Sequence, residues 1–585
     1  MLKKLLSFVK KQMLKNRFTT VLGIFLKWFF RVGPMAAIAH TKHFTAFDKQ
    51  KISIDVSDKE RYGQENFPFR NNVKFSVLVP LYNTPESFLR EMIESVVNQT
   101  YKNFELCLAD GSDDEHSFVE KVCCEYAQKD NRIVYKKLNE NKGIAENTNE
   151  CIKMSSGEYI ALFDHDDLLH PSALFKVALA IEQENADFIY TDEYTFDGSK
   201  GKGAILARHY KPDFSYDNLL ANNYICHLSV FKASLLDKVG VFRTMYDGSQ
   251  DHDMILRLTS AAEKVIHIPE MLYFWRSHKN SVAMDIGSKL YAVKSGIRLV
   301  EDHLKEQGIE AKVESSPAFP TIYRVSYKIK DNPLVSVIIS AENSKKASAV
   351  ANAVLSNTDY NNYEVIITIP EAQKVNCRFD NDNITVLGFE EKISLSSAYN
   401  LAAGKARGDY LLFLDENCLP THASWLKELL SYAQFDYAGA VGAKVLNKNK
   451  TVKSTGKILS ANGVMAERYA GTDKSELGYF GKLFYSQNIS AVATDCFMVK
   501  RGDFEKASGF DEKLQNSLFD TDLCLKLMEM GKKNLVNPFC VTLSDIKTVK
   551  ATEEEQNYFK AKWKNTLDKG DPYYNKSLPN GYYYF

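Results

Sequence analysis

Several signatures that would settle the chemistry at once are missing from this chain. None of its ten cysteines forms a C-x-x-C pair and only Cys123 and Cys124 are adjacent, a spacing that suggests neither a zinc site nor a disulfide framework and fits reduced thiols. No G-x-G-x-x-G and no G-x-x-x-x-G-K-[ST] occurs, so neither a dinucleotide site nor a P-loop is indicated. Charge of one sign is lacking too: 74 basic and 74 acidic residues cancel, which leaves no global field to draw nucleic acid. The apolar run at 21–31 is broken by Lys27 and Arg31 and falls short of the roughly 20 residues a spanning helix needs.

What is there begins with a basic start. Lys3, Lys4, Lys10, Lys11, Lys15 and Arg17 precede that run. Residues 1–40 therefore read either as an amphipathic helix lying on anionic lipid or as a helix packed on the body of the protein. Ala37-Ile38-Ala39 mimics a signal cleavage site, but the two cations interrupt the apolar region a signal peptide requires. Residues 41–73 are a polar lead-in. With 585 residues in all, the chain exceeds one hydrophobic core and should form two or more domains.

From Phe75 a regular alternation sets in. Strands are predicted at 75–79, 104–109, 132–135 and one ending at Asp164, with helices at 86–98, 118–128 and after Gly143. Such alternation implies right-handed βαβ units and a mainly parallel sheet, hence an α/β fold. Parallel strands bring their carboxyl ends to one edge, where open α/β sheets bind ligands. Those ends carry Pro80-Leu81-Tyr82-Asn83, Asp110-Gly111-Ser112 and Asp164-His165-Asp166-Asp167. Tyr82 offers an aromatic face, and Asp110 could accept from a base N–H. Asp164 and Asp166 could hold a hard cation such as Mg²⁺ or Mn²⁺ against a diphosphate; the alternative for this stretch is a solvated turn capping a helix. Residues 187–193 form another strand with an acidic end. Asp251 and Asp253 fall in the first turn of a helix, where they would also complement its dipole. Arg276 and His278 lie in reach of phosphate or metal.

The pattern then returns. Val335-Ser336-Val337-Ile338-Ile339 echoes Phe75-Ser76-Val77-Leu78-Val79, Gly408-Asp409-Tyr410 echoes Gly157-Glu158-Tyr159, and Asp520-Thr521-Asp522 echoes Asp251-His252-Asp253. The copies differ where chemistry would sit. Tyr82 becomes Glu342, the strand at 365–370 ends without a carboxylate, Asp164-His165-Asp166 becomes Asp415-Glu416-Asn417, and His422 is the one histidine after His303. The sheet is kept while the site decays.

Taken with Asn141-Lys142-Gly143 and Gln250-Asp251-His252-Asp253, these motifs resemble family 2 glycosyltransferases of the GT-A fold in order and spacing. His209-Tyr210-Lys211-Pro212-Asp213 and Asn223-Tyr224-Ile225-Cys226-His227-Leu228 are similar to bacterial two-module members. The resemblance implies two tandem GT-A domains: a catalytic one at 74–285, a helical linker at 286–332, and a degenerate second one at 333–585. It implies that Pro80, Tyr82, Asn83, Asp110, Lys142, Gly143, Asp164, His165 and Arg276 bind a nucleotide-sugar, UDP- or dTDP-linked. Asp164, Asp166 and His278 would hold Mn²⁺ or Mg²⁺, and Asp251 would be the base of an inverting transfer to a cell-surface or lipid-linked glycan. The implied location is the cytoplasmic face of the inner membrane, with residues 1–40 in peripheral contact and no nucleic-acid partner. The sequence departs from the family at Phe274, where related chains often carry His, and at Asp110, which stands without the usual second acid. Two alternatives stay open: a bifunctional polymerase with both modules active, and a non-catalytic glycan-binding scaffold.

Overall fold

A strand as apolar as Phe75–Leu81 must be covered on both faces, and it sits at the centre of a sheet with all but one residue buried. The computed structural model describes Leu26, residues 52–278 and residues 290–578, the last without 318, 391–392, 460–464, 516 and 545–548. The helix expected at 1–40 therefore lies outside the described residues, Leu26 apart. Among the described residues no helix is long and apolar enough to cross a membrane. They fall into two compact units that divide between Val325 and Ser326.

In the first unit the strands are β1 (Phe75–Leu81), β2 (Phe104–Asp110), β3 (Ile133–Lys137), β4 (Tyr159–Leu162), β5 (Leu168–Leu169), β6 (Phe188–Asp197), β7 (Ile205–His209), β8 (Ser229–Lys232) and β9 (Val265–Ser277). They line up as β3-β2-β1-β4-β8-β6-β9-β5, with β7 beside β6. β1, β2, β3 and β4 are parallel, as are β6 and β9, while β8 and β5 run antiparallel to their neighbours. Four helices matter for the site: α1 (Glu86–Val97), α2 (Ile144–Met154), α3 (Gln250–Ala261) and α4 (Leu290–Glu306). On α1, Leu89, Met92, Ile93 and Val96 form one buried stripe at helical spacing, packed on Val77, Val79, Leu106 and Leu108 of the sheet.

Two sequence expectations change here. β6 continues to Asp197, so Asp192 and Glu193 stand inside a buried strand and not at its end. Neutralising partners make that tolerable: His267 for Asp192, and His209, His227 and Lys211 for Glu193. The helix placed in a linker is fastened to the first unit instead. Asp302 on α4 accepts from the Tyr246 hydroxyl at 2.8 Å, and Ser249 Oγ donates to the Ala292 carbonyl at 2.9 Å. α4 thus buttresses the turn that leads into α3.

The second unit repeats the path. Its strands are β10 (Val335–Ser340), β11 (Tyr363–Pro370), β12 (Ile384–Phe389), β13 (Tyr410–Asp415), β14 (Cys418–Pro420), β15 (Ala438–Leu446), β16 (Val452–Ser454), β17 (Cys496–Lys500) and β18 (Lys533–Ser544). The order is β12-β11-β10-β13-β17-β15-β18-β14, with β16 beside β15 and a further two-residue strand, Gln487–Asn488, beside β18 that the first sheet does not have among its described residues. Each strand keeps the place of the one nine labels earlier.

The repeat extends to packing. Gly157 N donates to Ser76 Oγ at 2.8 Å and Gly408 N to Ser336 Oγ at 2.9 Å. A Cβ on either glycine would lie 2.6 Å from the serine nitrogen. In both units the serine hydroxyl also donates to a carboxylate buried in the next strand, Glu105 or Glu364.

Candidate active site

The rim of the first unit is built by the ends of β1, β2 and β4 and by the start of α3. The turn after β4 is anchored from below. Asp167 is fully buried and accepts from the Tyr273 hydroxyl at 2.6 Å and from Arg276 N at 2.7 Å. Burial, and then the charges of Asp166 and Asp164, push its carboxyl well above the usual range. Arg276 is buried as well; it donates to the Asp166 carbonyl at 2.5 Å and to Glu91 at 2.8 Å, with its guanidinium 4.3 Å from the centre of the Phe88 ring. The sequence suggested a phosphate contact for Arg276. The structure instead spends its donors and its flat face on bracing the acidic turn.

With Asp167 pinned, the other two acids take separate imidazoles. Asp166 Oδ2 lies 2.8 Å from His278 Nε2, and Asp164 Oδ2 lies 3.3 Å from His227 Nε2. His227 stacks on Tyr273 at 4.6 Å, and its Nδ1 is 3.1 Å from Glu193. Burial works to raise the Asp164 carboxyl, but the hydrogen bond and charge of His227 hold it below its ordinary value. Behind Glu193 stand His209 at 2.9 Å and the buried Lys211 at 3.5 Å. His227, Glu193 and Lys211 were not singled out from the sequence. The hints were the place of Lys211 and His227 within motifs of the resemblance and of Glu193 at the acidic end of the strand at 187–193, and none carried a role.

Asp251 opens α3. Its carboxylate accepts from the Gln250 amide at 3.0 Å. Burial first, and then repulsion from Asp164, raise its carboxyl to about 7 against the lowering effects of His227 and Gln250. Its neighbour Asp253 is a different kind of group, clamped by Arg243 and by Arg257 at 2.7 Å. The two acids of this motif therefore divide into one with a raised carboxyl and one held by two arginines.

Around the rim, Tyr82 is exposed at 46%. Asn83, at φ 50°, donates through its backbone to Ser112 Oγ at 2.9 Å and through its side chain to Asp113 at 2.7 Å. His165 Nδ1 is 2.8 Å from the Thr84 hydroxyl, and Pro80 is a partly buried member of β1. Lys142 is exposed beside Glu140 at 3.2 Å. Gly143 heads α2 at φ 96°, where a Cβ would sit 2.6 Å from Asp247. Asp110 departs from expectation: its side chain is wholly buried and accepts from Ser112 N at 2.8 Å and from Tyr135 and Lys137 at 3.0 Å each. With these donors in place it braces the rim.

The second unit fills the same places differently. The registered pair Ser340–Thr368 puts Ile369 where Asp110 stands opposite Leu81. Asn417 turns its amide onto Asp415 at 3.2 Å, and Glu416 takes Lys346 at 2.5 Å. Counting back from the matched pairs Tyr159–Lys232 and Tyr410–Lys500 sets Asp495 at the position of His227. Asp520, the counterpart of Asp251, is fully buried and held by Lys457, Thr494 and, at 2.6 Å, the Thr521 amide.

Comparison with known proteins follows these lines. The model of glycosyl transferase family 2 matches residues 76–240 and again 336–507, and the chain belongs to that family; its two α/β units are the family's GT-A fold. It is 33% identical over 532 residues to the protein y4gI of Sinorhizobium fredii, across 87% of this chain and 58% of that one. To the O-antigen biosynthesis protein RfbC of Myxococcus xanthus it is 31% identical over 516 residues, across 86% and 40%. The chain thus spans about half the length of these relatives. Among solved structures, S. aureus TarS 1–349 in complex with UDP-GlcNAc aligns at 19% identity and a TM-score of 0.34, over 40% of this chain and 66% of that one.

Proposed function

We propose that this chain is an inverting glycosyltransferase that moves a sugar from a nucleoside-diphosphate donor, UDP- or dTDP-linked, to a hydroxyl of a cell-surface or lipid-linked glycan. The first unit does the chemistry. The observation that carries the reading is Asp251, a carboxyl raised to about 7 beside the acidic turn, since a general base works best when its affinity for a proton matches the working pH. Asp251 takes the proton of the acceptor hydroxyl as the acceptor oxygen bonds to the anomeric carbon. The bond from that carbon to the diphosphate breaks on the opposite side, and the nucleoside diphosphate leaves.

Asp166 and His278 are the pair suited to a divalent cation. No group of three or more His, Cys, Asp or Glu side chains converges among the described residues, so such an ion would take these two donors and complete its shell with water and diphosphate, the habit of Mg²⁺ and Mn²⁺. Bound there, it would neutralise charge on the departing diphosphate. Asp164, steered by His227, would orient the donor, while Tyr82 offers a base its exposed ring. The glycan acceptor is in keeping with the name of the Myxococcus relative. The cations of residues 1–40 would hold the protein to anionic lipid at the cytoplasmic face of the membrane. The second unit is degenerate, because its would-be base is already neutralised by Lys457.

The test is Asp251→Asn assayed against a panel of nucleotide-sugars. Manganese-dependent UDP affinity should persist while transfer and donor hydrolysis disappear. Wild-type turnover in this variant would sink the assignment.

A further inference from the structure

The second unit keeps a cleft of about 620 Å³ at the carboxyl ends of β10, β11 and β13, a volume typical of a small-molecule site. Its walls have changed character. Among the described residues that line it, Glu342, Asp415 and Glu416 face it with a single cation, Lys346, which is already shared by Glu342 at 2.8 Å and Glu416 at 2.5 Å. Three carboxyl groups against one engaged ammonium repel a diphosphate. No acid–imidazole pair like Asp166 with His278 is present to recruit a metal, since Asn417 stands at that place with its amide turned inward. The same lining includes the apolar Phe389 and Ile393, the latter 36% exposed.

Carboxylates that accept hydrogen bonds from hydroxyls, in one cleft with an aromatic ring and aliphatic carbons, suit a molecule with hydroxyls on its edge and C–H groups on its faces. We propose that this cleft binds an uncharged saccharide, a stretch of the glycan that the first unit extends, and that it takes no nucleotide. The inference rests on the transferase reading above in identifying the saccharide with the acceptor. The fold has thus turned a donor site into an acceptor subsite by exchanging its charge.

The experiment uses the full chain, with maltotetraose, chitotetraose and a rhamnose tetrasaccharide as probes in saturation-transfer NMR, and UDP with Mn²⁺ in calorimetry. At least one tetrasaccharide should bind to wild type and to Asp251→Asn alike, and bind at least about tenfold more weakly to Phe389→Ala. Ile393→Trp, which fills the cleft from an exposed position and spares the core, should do the same. UDP should bind once per chain in all four proteins. Binding of two UDP per chain with one lost in Ile393→Trp overturns the proposal. So does the absence of binding by any of the tetrasaccharides, or saccharide binding indifferent to both cleft variants. Saccharide binding that obeys the cleft variants while UDP fails to bind at all would support the cleft and count against the transferase reading.

Discussion

The two units share a frame and part company at its rim, and the division falls along the line between what packing demands and what a reaction demands. Gly157 and Gly408 survive together because a side chain at either would collide with the strand beside it. The buried Ser–Glu pairs survive because an orphaned carboxylate inside a sheet is expensive. Nothing of that kind protects the rim. Asp251 and Asp520 occupy the same place at the head of a helix, α3 in one unit and Phe519–Glu529 in the other. Left to stability alone, a buried carboxyl acquires a cation, and Asp520 has Lys457. Asp251 accepts from the Gln250 amide, is repelled by the like charge of Asp164 and, among the described residues, forms no ion pair like that of Asp520, although His227 acts on it at longer range. That contrast is what the proposed role of Asp251 as the base would call for.

The largest expected effect separates the copies by rate. Asp251→Asn should lower transfer by about 10²–10⁴-fold, the span of general-base catalysis, whereas Asp520→Asn should leave the rate unchanged in the same nucleotide-sugar assay. Equal losses from both would mean that the second unit also transfers sugar. The next effect runs the other way. Asp520→Ala strands the buried Lys457 ammonium and should destabilise the second unit by about 3–5 kcal/mol, seen by calorimetry as a transition moved to lower temperature. Asp251→Ala removes no partner from a cation and should leave that transition alone.

A third comparison concerns the cation. Asp166→Ala removes one of two protein donors and should weaken manganese-dependent UDP binding by roughly tenfold or more. Asn417→Ala, at the matching place in the second unit, should change nothing, because that amide is turned onto Asp415. Calorimetry with and without Mn²⁺ measures both, and a loss of UDP affinity in Asn417→Ala would restore the second unit as a donor site.

Much of the frame was legible because it is written in local patterns. The strands at Phe75, Phe104 and Tyr410 announce themselves as apolar runs, and the repeat of Gly157-Glu158-Tyr159 at Gly408 gave away the duplication. The acids of the rim were legible too, as carboxylates at strand ends. Their partners were not. His227 meets Asp164 and Glu193 across 63 and 34 positions of sequence, and no periodicity reports a contact of that range. The burial of Asp110 was hidden for the same reason: Tyr135 and Lys137, which donate to it, arrive from the neighbouring strand. Arg276 looked like a free cation until Glu91 and the Phe88 ring were seen to hold it. Charge is visible in a sequence, whereas neutralisation is a property of the fold.

The smallest effect is also the one that tests the comparison most directly, because its sign differs between the units. Asp251 has its folded value near 7, above the ordinary carboxyl range, so the folded chain holds that proton more tightly than the unfolded chain does. The stability this contributes is complete below about pH 4 and is lost as the pH rises through about 7. Asp251→Asn should therefore be more stable than wild type at about pH 8, by about 1 kcal/mol, since the side chain is only partly buried and water screens most of the nominal linkage. The advantage should vanish near pH 4. Activity follows the same proton in the opposite sense: kcat/KM of wild type should fall about tenfold per pH unit below about 7. Asp415→Asn should leave that midpoint in place, although burial lifts the Asp415 carboxyl to about 6. Asp520→Asn should be destabilised at neutral and alkaline pH, where Lys457 is charged and loses its partner. If Asp251→Asn and Asp520→Asn instead shift stability in the same direction at about pH 8, then Asp251 is paired after all, and the contrast on which the first unit's catalytic role depends is gone.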